Sequence, residues 1–136
     1  MSIYKDFPVD DNLVQKYIIA ATPVGSRVTC SIFSSRADID WLVLVEGGGF
    51  EILLSNRLKR LGWLTKTNEY TSSSPTNFDA VFKSFRLGEH NLIITESRTF
   101  YRRFLLASLV AKKLDLLKKE DRVTLFQAIL YGNAPE

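Results

Sequence analysis

Two acidic residues lie one residue apart where a polar stretch gives way to an apolar one. In GSRVTCSIFSSRADIDWLVLV, residues 25–45, Asp38 and Asp40 lead into a run rich in Val and Leu. Because side chains alternate between the two faces of a strand, these carboxylates are expected to point the same way. Like charges this close repel where water is scarce, and Mg²⁺, which prefers hard oxygen ligands, would remove that repulsion. The pair predicts a metal site, with a solvated strand entrance as the alternative.

A third acid, Asp79, lies among apolar neighbours in NFDAVFKSF, residues 77–85, where a charge has no packing role. If this predicted strand lies beside the one that begins at Asp40, the three carboxylates converge on one or two ions. Two ions about 3.5–4 Å apart can activate an attacking oxygen and stabilise a leaving pyrophosphate. Asp38, Asp40 and Asp79 are therefore the predicted catalytic and metal-binding residues.

A Gly-Ser pair precedes the acids and suits the binding of phosphate. Gly25 allows a tight turn and a close backbone approach, while Ser26 offers a hydroxyl and an N–H group to phosphate oxygens. Arg27 and Arg36 flank the same loop and could neutralise a triphosphate. These four residues are the predicted nucleotide-binding residues, and a plain surface turn is the alternative.

The order of these signals resembles the nucleotidyltransferase superfamily of the DNA polymerase β type. The shared pattern is Gly-Ser, a polar spacer, Asp-x-Asp leading into an apolar strand, and a lone later Asp, over residues 25 to about 85. The resemblance implies that Gly25 and Ser26 hold the phosphates of a nucleotide and that Asp38 and Asp40 bind two Mg²⁺ ions. It also implies that Asp79 is the third ligand and the general base for the acceptor hydroxyl.

Such a protein would move a nucleoside monophosphate from an NTP to a hydroxyl of a protein, an RNA or a small molecule. The C-terminal part, residues 85–132, also resembles small phage-encoded nucleotidyltransferase-like proteins, which implies action in the cytoplasm of a host bacterium. The alternative function keeps this fold without efficient catalysis. In that case the protein is a phage accessory factor that binds a host protein or nucleic acid and inhibits or redirects it.

The pattern of apolar residues predicts an α/β (α+β) domain with a small mixed sheet flanked by helices, nucleotidyltransferase-like in type. One domain is expected over residues 1–136, with a core at about 10–96 and a helical portion at about 97–132. Helices are predicted at 11–21, 50–61, about 98–114 and about 119–131. Strands are predicted at 40–45, 78–85 and 91–95, with a short one near Trp63.

Composition limits the remaining classes of function. The chain has 136 residues, of which 46% are hydrophobic and 24% charged, and this is typical of a folded domain. Its net charge of +3 is compatible with a polyphosphate or nucleic-acid partner. One cysteine excludes an internal disulfide. With neither a secretory signal nor a long apolar stretch, a cytoplasmic protein without a membrane partner is expected.

Overall fold

Helices alternate with the strands of one mixed sheet. The computed structural model describes residues 6–32, 37–66 and 82–132. The strands in these parts are β1 (Ile18–Val24), β2 (Ile39–Val45), β3 (Leu64–Lys66), β4 (Phe82–Leu87) and β5 (His90–Thr95). The helices are α1 (Asn12–Lys16), α2 (Ser26–Thr29), α3 (Phe50–Arg60), α4 (Arg98–Leu114) and α5 (Lys119–Tyr131).

The strand order of the sheet determines which loops lie at the same edge. The order is β1-β2-β5-β4-β3, and β2 is parallel to β5. The other neighbouring pairs are antiparallel. Because β2 and β5 run in the same direction, both begin at the same edge of the sheet, where the paired acids lie.

Strand β2 is covered on both faces, as its continuous apolar run predicts. Trp41, Val43 and Val45 point to one face, where they pack with Leu54 and Leu58 of α3. On the other face, Leu42 and Leu44 pack with residues of α4 and α5. Asp40 shares the second face with Leu42 by strand alternation, so the acids open toward the C-terminal helices.

The two C-terminal helices have the predicted bounds. The side chain of Ser97 caps α4 by accepting a hydrogen bond from the Phe100 N–H at 3.1 Å. Phe104 is fully buried, and its ring meets that of Phe126 edge-on, with centroids 5.0 Å apart. This aromatic contact joins α4 to α5 and fixes α5 beside the sheet.

The predicted helix at residues 11–21 is wrong in its second half. Asp11 caps α1, but the helix ends at Lys16 and the chain continues as β1. Ile18 and Ala21 satisfy a helical spacing, yet pairing with β2 satisfies their backbone groups and decides the structure. Pro23 is tolerated because β1 is an edge strand of the sheet.

Helix α2, which has four residues, was not predicted, whereas α3 and the other strands follow the predictions closely. Helix α3 is followed by Gly62, which has φ +97°, and β3 begins one residue after Trp63. The predicted strand at 78–85 is present as β4 from Phe82 onward, and its first half lies outside the described residues. In the part of the chain that the structure describes, no helix has both the length and the apolar character needed to cross a bilayer.

Candidate functional site

Asp40 lies at the start of β2 beside a buried amide of the neighbouring strand. Its backbone is in parallel register with that of Asn91 on β5, and the Asn91 Nδ2 donates a hydrogen bond to Asp40 Oδ1 at 2.7 Å. Asn91 is buried, with 5% of its surface exposed. The second polar atom of this amide, Oδ1, is buried without a hydrogen-bond partner. This oxygen is not the amide atom that faces Asp40, and its bonding capacity is unused.

The Gly-Ser turn is packed against the same carboxylate. Gly25 has φ +85°, and its carbonyl oxygen accepts hydrogen bonds from the N–H groups of Val28 and Thr29 at 3.0 Å. A β-carbon at Gly25 would collide with the Asp40 carboxylate. Ser26 follows as the first residue of α2. The structure thus brings the predicted phosphate turn together with one of the predicted metal ligands.

Asp38 lies just before β2 and faces an arginine from β4. Its Oδ1 is 3.3 Å from Nη2 of Arg86, and 32% of the Asp38 side chain is exposed. Arg86 is in register with Asn91, so Asp40, Asn91 and Arg86 form a polar row across three adjacent strands. Because this ion pair is partly exposed, its contribution to stability is small.

A small polar pocket joins these groups to the C-terminal helix α5. It has a volume of about 170 Å³, and its lining residues are Ser26, Ala37, Asp38, Asp40, Lys119, Arg122 and Val123. Two acids thus face two basic side chains across the pocket. The Arg122 guanidinium is held in place because its Nη1 donates to the carbonyl oxygens of Leu116 at 2.9 Å and Leu117 at 2.7 Å. This combination suits a ligand that carries phosphate together with a cation.

The other predicted site residues have different outcomes. Arg27 uses its Nε to donate a hydrogen bond to the Ala37 carbonyl at 2.9 Å, so it secures the chain segment before Asp38. Arg36 and Asp79 lie outside the described residues, and their roles stay predictions. Convergence of Asp79 with the paired acids required its predicted strand to lie beside β2. In the described sheet β5, not β4, lies beside β2.

The direction of β4 also differs from what convergence of the three acids requires. Phe82, where β4 begins, pairs with Thr95 at the end of β5, whereas Asp40 pairs with Asn91 near its beginning. The start of β4 is therefore at the sheet edge opposite the paired acids. Strand order depends on contacts between distant segments, and for this reason the spacing of residues in the sequence did not predict it.

Three residues of the site were not predicted: Asn91, Lys119 and Arg122. The two basic residues lie in a lysine-rich stretch that is typical of a solvated helix face. For Asn91 a signal was present, because HNLIIT and DIDWLVLV both pass from polar residues into a buried apolar run. If two such strands are parallel, their polar beginnings meet at one edge of the sheet.

The donor atoms of the site fit a hard divalent cation. Within residues 6–32, 37–66 and 82–132 there is no cluster of three or more His, Cys, Asp or Glu side chains suited to a metal ion. The two carboxylates nevertheless provide oxygen donors, the ligand type that Mg²⁺ prefers, and a half-turn of the Asn91 amide would bring its oxygen toward Asp40 as a third. Asp38, Asp40 and Asn91 are thus the described residues that would hold such an ion.

A second pair of acids lies at the opposite sheet edge, after the ends of β2 and β5. Glu51 of α3 is 3% exposed, and its Oε2 is buried without a hydrogen-bond partner. Burial raises the pKa of the Glu51 carboxyl; the nearby charge of Lys83 opposes this shift, while that of Glu96 adds to it. Glu96 Oε1 accepts a hydrogen bond from the Gly49 N–H at 2.9 Å and so occupies the N-terminus of α3.

Comparisons with known proteins support the fold. No protein-family model matches the sequence, and the comparison with curated proteins gives no match either. A similar solved structure is that of the conserved protein GrpB from Enterococcus faecalis, with a TM-score of 0.50 and 16% sequence identity. The similarity covers 88% of this chain and 84% of that one. At this identity the likeness concerns the fold alone, which in this chain is a five-stranded mixed sheet flanked by helices.

Proposed function

We propose that this protein is a metal-dependent nucleotidyltransferase that moves a nucleoside monophosphate from an NTP to a hydroxyl acceptor on a protein, an RNA or a small molecule. The observation that carries the proposal is the contact between Gly25 and the Asp40 carboxylate. It places a turn suited to phosphate and a carboxylate suited to Mg²⁺ at one small pocket. Val24 and Asp40 are register partners on the antiparallel strands β1 and β2, so the sheet itself holds this turn beside the carboxylate.

Each group around the pocket has a role in this proposal. Asp38 and Asp40 hold Mg²⁺, which neutralises charge on the phosphates and helps the pyrophosphate to leave. Ser26 donates hydrogen bonds to phosphate oxygens. Lys119 and Arg122 of α5 supply positive charge at the same pocket. Asp79, the predicted general base, has no role at this pocket in the proposal, because the strand that follows it in the sequence begins at the opposite edge of the sheet.

The test is transfer of label from α-³²P-NTPs to the components of a bacterial lysate or to the protein itself. We expect transfer that requires Mg²⁺ and that the double variant Asp38→Asn with Asp40→Asn abolishes. A double variant of exposed acids elsewhere, Asp6→Asn with Glu46→Gln, is the matched control and should keep full activity. If the wild-type protein formed no labelled product with any of the four NTPs, the proposal would be contradicted.

A second function, in which a phage-borne protein of this fold binds and redirects a host component, is favoured by the polar row across β2, β5 and β4. Arg86 pairs with Asp38, and Asn91 bonds to Asp40, so the protein itself offsets part of the acidic charge. A catalytically weak protein would show this arrangement. The same double variant decides between the two functions, because full biological effect without the acids would favour the binding protein.

A further inference from the structure

We infer that Asn91 of β5 supplies the third oxygen ligand of the metal site, beside Asp38 and Asp40. The sequence predicted an acid on another strand, Asp79, for this role. The inference rests on the proposed function in that it assumes a divalent cation at the acid pair. It assigns a neutral amide to the position in the sheet that lies directly next to Asp40.

The sheet itself places Asn91 there. Asp40 and Asn91 are register partners on adjacent parallel strands, and their side chains meet at 2.7 Å. Register partners share a face, so this contact does not depend on a flexible loop. A ligand carried by two paired strands is held more rigidly than one carried by a loop.

The amide of Asn91 also has an unused acceptor. Its Oδ1 is buried without a hydrogen-bond partner, and leaving a buried acceptor unsatisfied is costly. An asparagine side chain can present either its nitrogen or its oxygen after a half-turn of the amide. With the nitrogen toward Asp40 it donates a hydrogen bond, and with the oxygen toward Asp40 both residues offer oxygen to one cation. The same side chain therefore serves the site with and without metal.

The test is a calorimetric titration of the purified protein with Mn²⁺ alone. We expect Asn91→Leu to weaken Mn²⁺ binding about tenfold and Asn91→Asp to tighten it about tenfold, as a charged oxygen replaces the neutral one. Asn56→Asp makes the same chemical change at an exposed position of α3 and should leave the affinity unchanged. Asp79→Asn should also leave it unchanged if Asn91 is the third ligand.

Thermal melts with and without Mn²⁺ keep the test valid if Asn91→Leu folds poorly. Asn91→Asp places a third acid beside two others, so we expect it to be less stable than the wild type without metal and to gain more from Mn²⁺. Wild-type affinity in both Asn91 variants would overturn the inference and leave the metal centre intact. Absence of Mn²⁺ binding by the wild type would overturn the inference together with the proposed metal dependence.

Discussion

Gly25 lies so close to Asp40 that no β-carbon fits between them. A β-carbon built on Gly25 would overlap the carboxylate oxygen and lie 2.9 Å from Asp40 Cγ. The backbone of Gly25 also has φ +85°, a region that residues other than glycine rarely adopt. Both features require glycine, and they connect the turn before α2 to the beginning of β2.

The first prediction concerns the substitution Gly25→Ala. We expect it to displace the Asp40 carboxylate, to weaken Mn²⁺ binding about tenfold, and to lower the free energy of unfolding by more than the roughly 1–3 kcal/mol that this backbone conformation alone costs. Gly62→Ala is the control, because Gly62 has φ +97° with open space around it. Urea denaturation and Mn²⁺ titration measure the two effects. Equal losses of stability in both variants, with unchanged Mn²⁺ affinity, would show that the Gly25–Asp40 contact is unimportant.

Arg86 should compete with a divalent cation for Asp38, since its guanidinium lies 3.3 Å from the carboxylate. We expect Arg86→Gln to increase Mn²⁺ affinity several-fold, while the free energy of unfolding changes by less than about 1 kcal/mol. Arg98→Gln removes an exposed arginine at the start of α4 and should change neither quantity. Weaker Mn²⁺ binding by Arg86→Gln would mean instead that Arg86 positions Asp38 for the cation.

Glu51 should make stability depend on pH. Burial raises the pKa of its carboxyl above the ordinary 4.5 in the folded protein. As pH rises through 4.5 the unfolded chain loses this proton first, so the free energy of unfolding falls until the folded-state pKa is passed. Glu51→Gln lacks this loss, and its stability relative to the wild type should rise as the pH is raised above about 4.5.

Urea denaturation across this pH range checks the prediction for Glu51. Glu120→Gln, at an exposed position in the first turn of α5, is the control and should show the profile of the wild type. Parallel profiles for Glu51→Gln and the wild type would contradict the prediction, since the Glu51 carboxyl would then titrate alike in the folded and unfolded states.

The hydroxyl groups of Thr22 and Tyr101 link the edge strand β1 to α4, with 2.6 Å between their oxygens. We expect Tyr101→Phe to lower the free energy of unfolding by about 1 kcal/mol. Thr22→Val removes the partner, and the double variant should cost less than the two single losses together. Strict additivity in this cycle, measured by urea denaturation, would show that the two hydroxyls do not interact in solution.

Local sequence patterns predicted the helices of the second half well. The bounds of α4 and α5 agree with the prediction because apolar residues recur at helical spacing between Ser97 and Gly132. The apolar run at Asp40 likewise identified β2 as a buried strand. In each case a signal within about fifteen neighbouring residues was sufficient, because the element buries its own apolar residues.

Contacts between distant segments account for what the sequence did not predict. Residues 18–21 fit a helical period, and only their pairing with β2 makes them a strand. The contact of Asp40 with Gly25 follows from the pairing of β1 with β2, and its contact with Asn91 depends on β5 inserting between β2 and β4. Spacing along the chain carries no information about that insertion.

Calorimetric titration of the protein with each NTP, in the presence and absence of Mg²⁺, tests the central claim most directly. The claim is that the Gly25–Ser26 turn and the acids Asp38 and Asp40 form one nucleotide site. We predict that the wild-type protein binds at least one NTP only when Mg²⁺ is present, and that the folded double variant Asp38→Asn with Asp40→Asn binds none. Equal NTP binding by the two proteins, or no binding by the wild type, would contradict the claim.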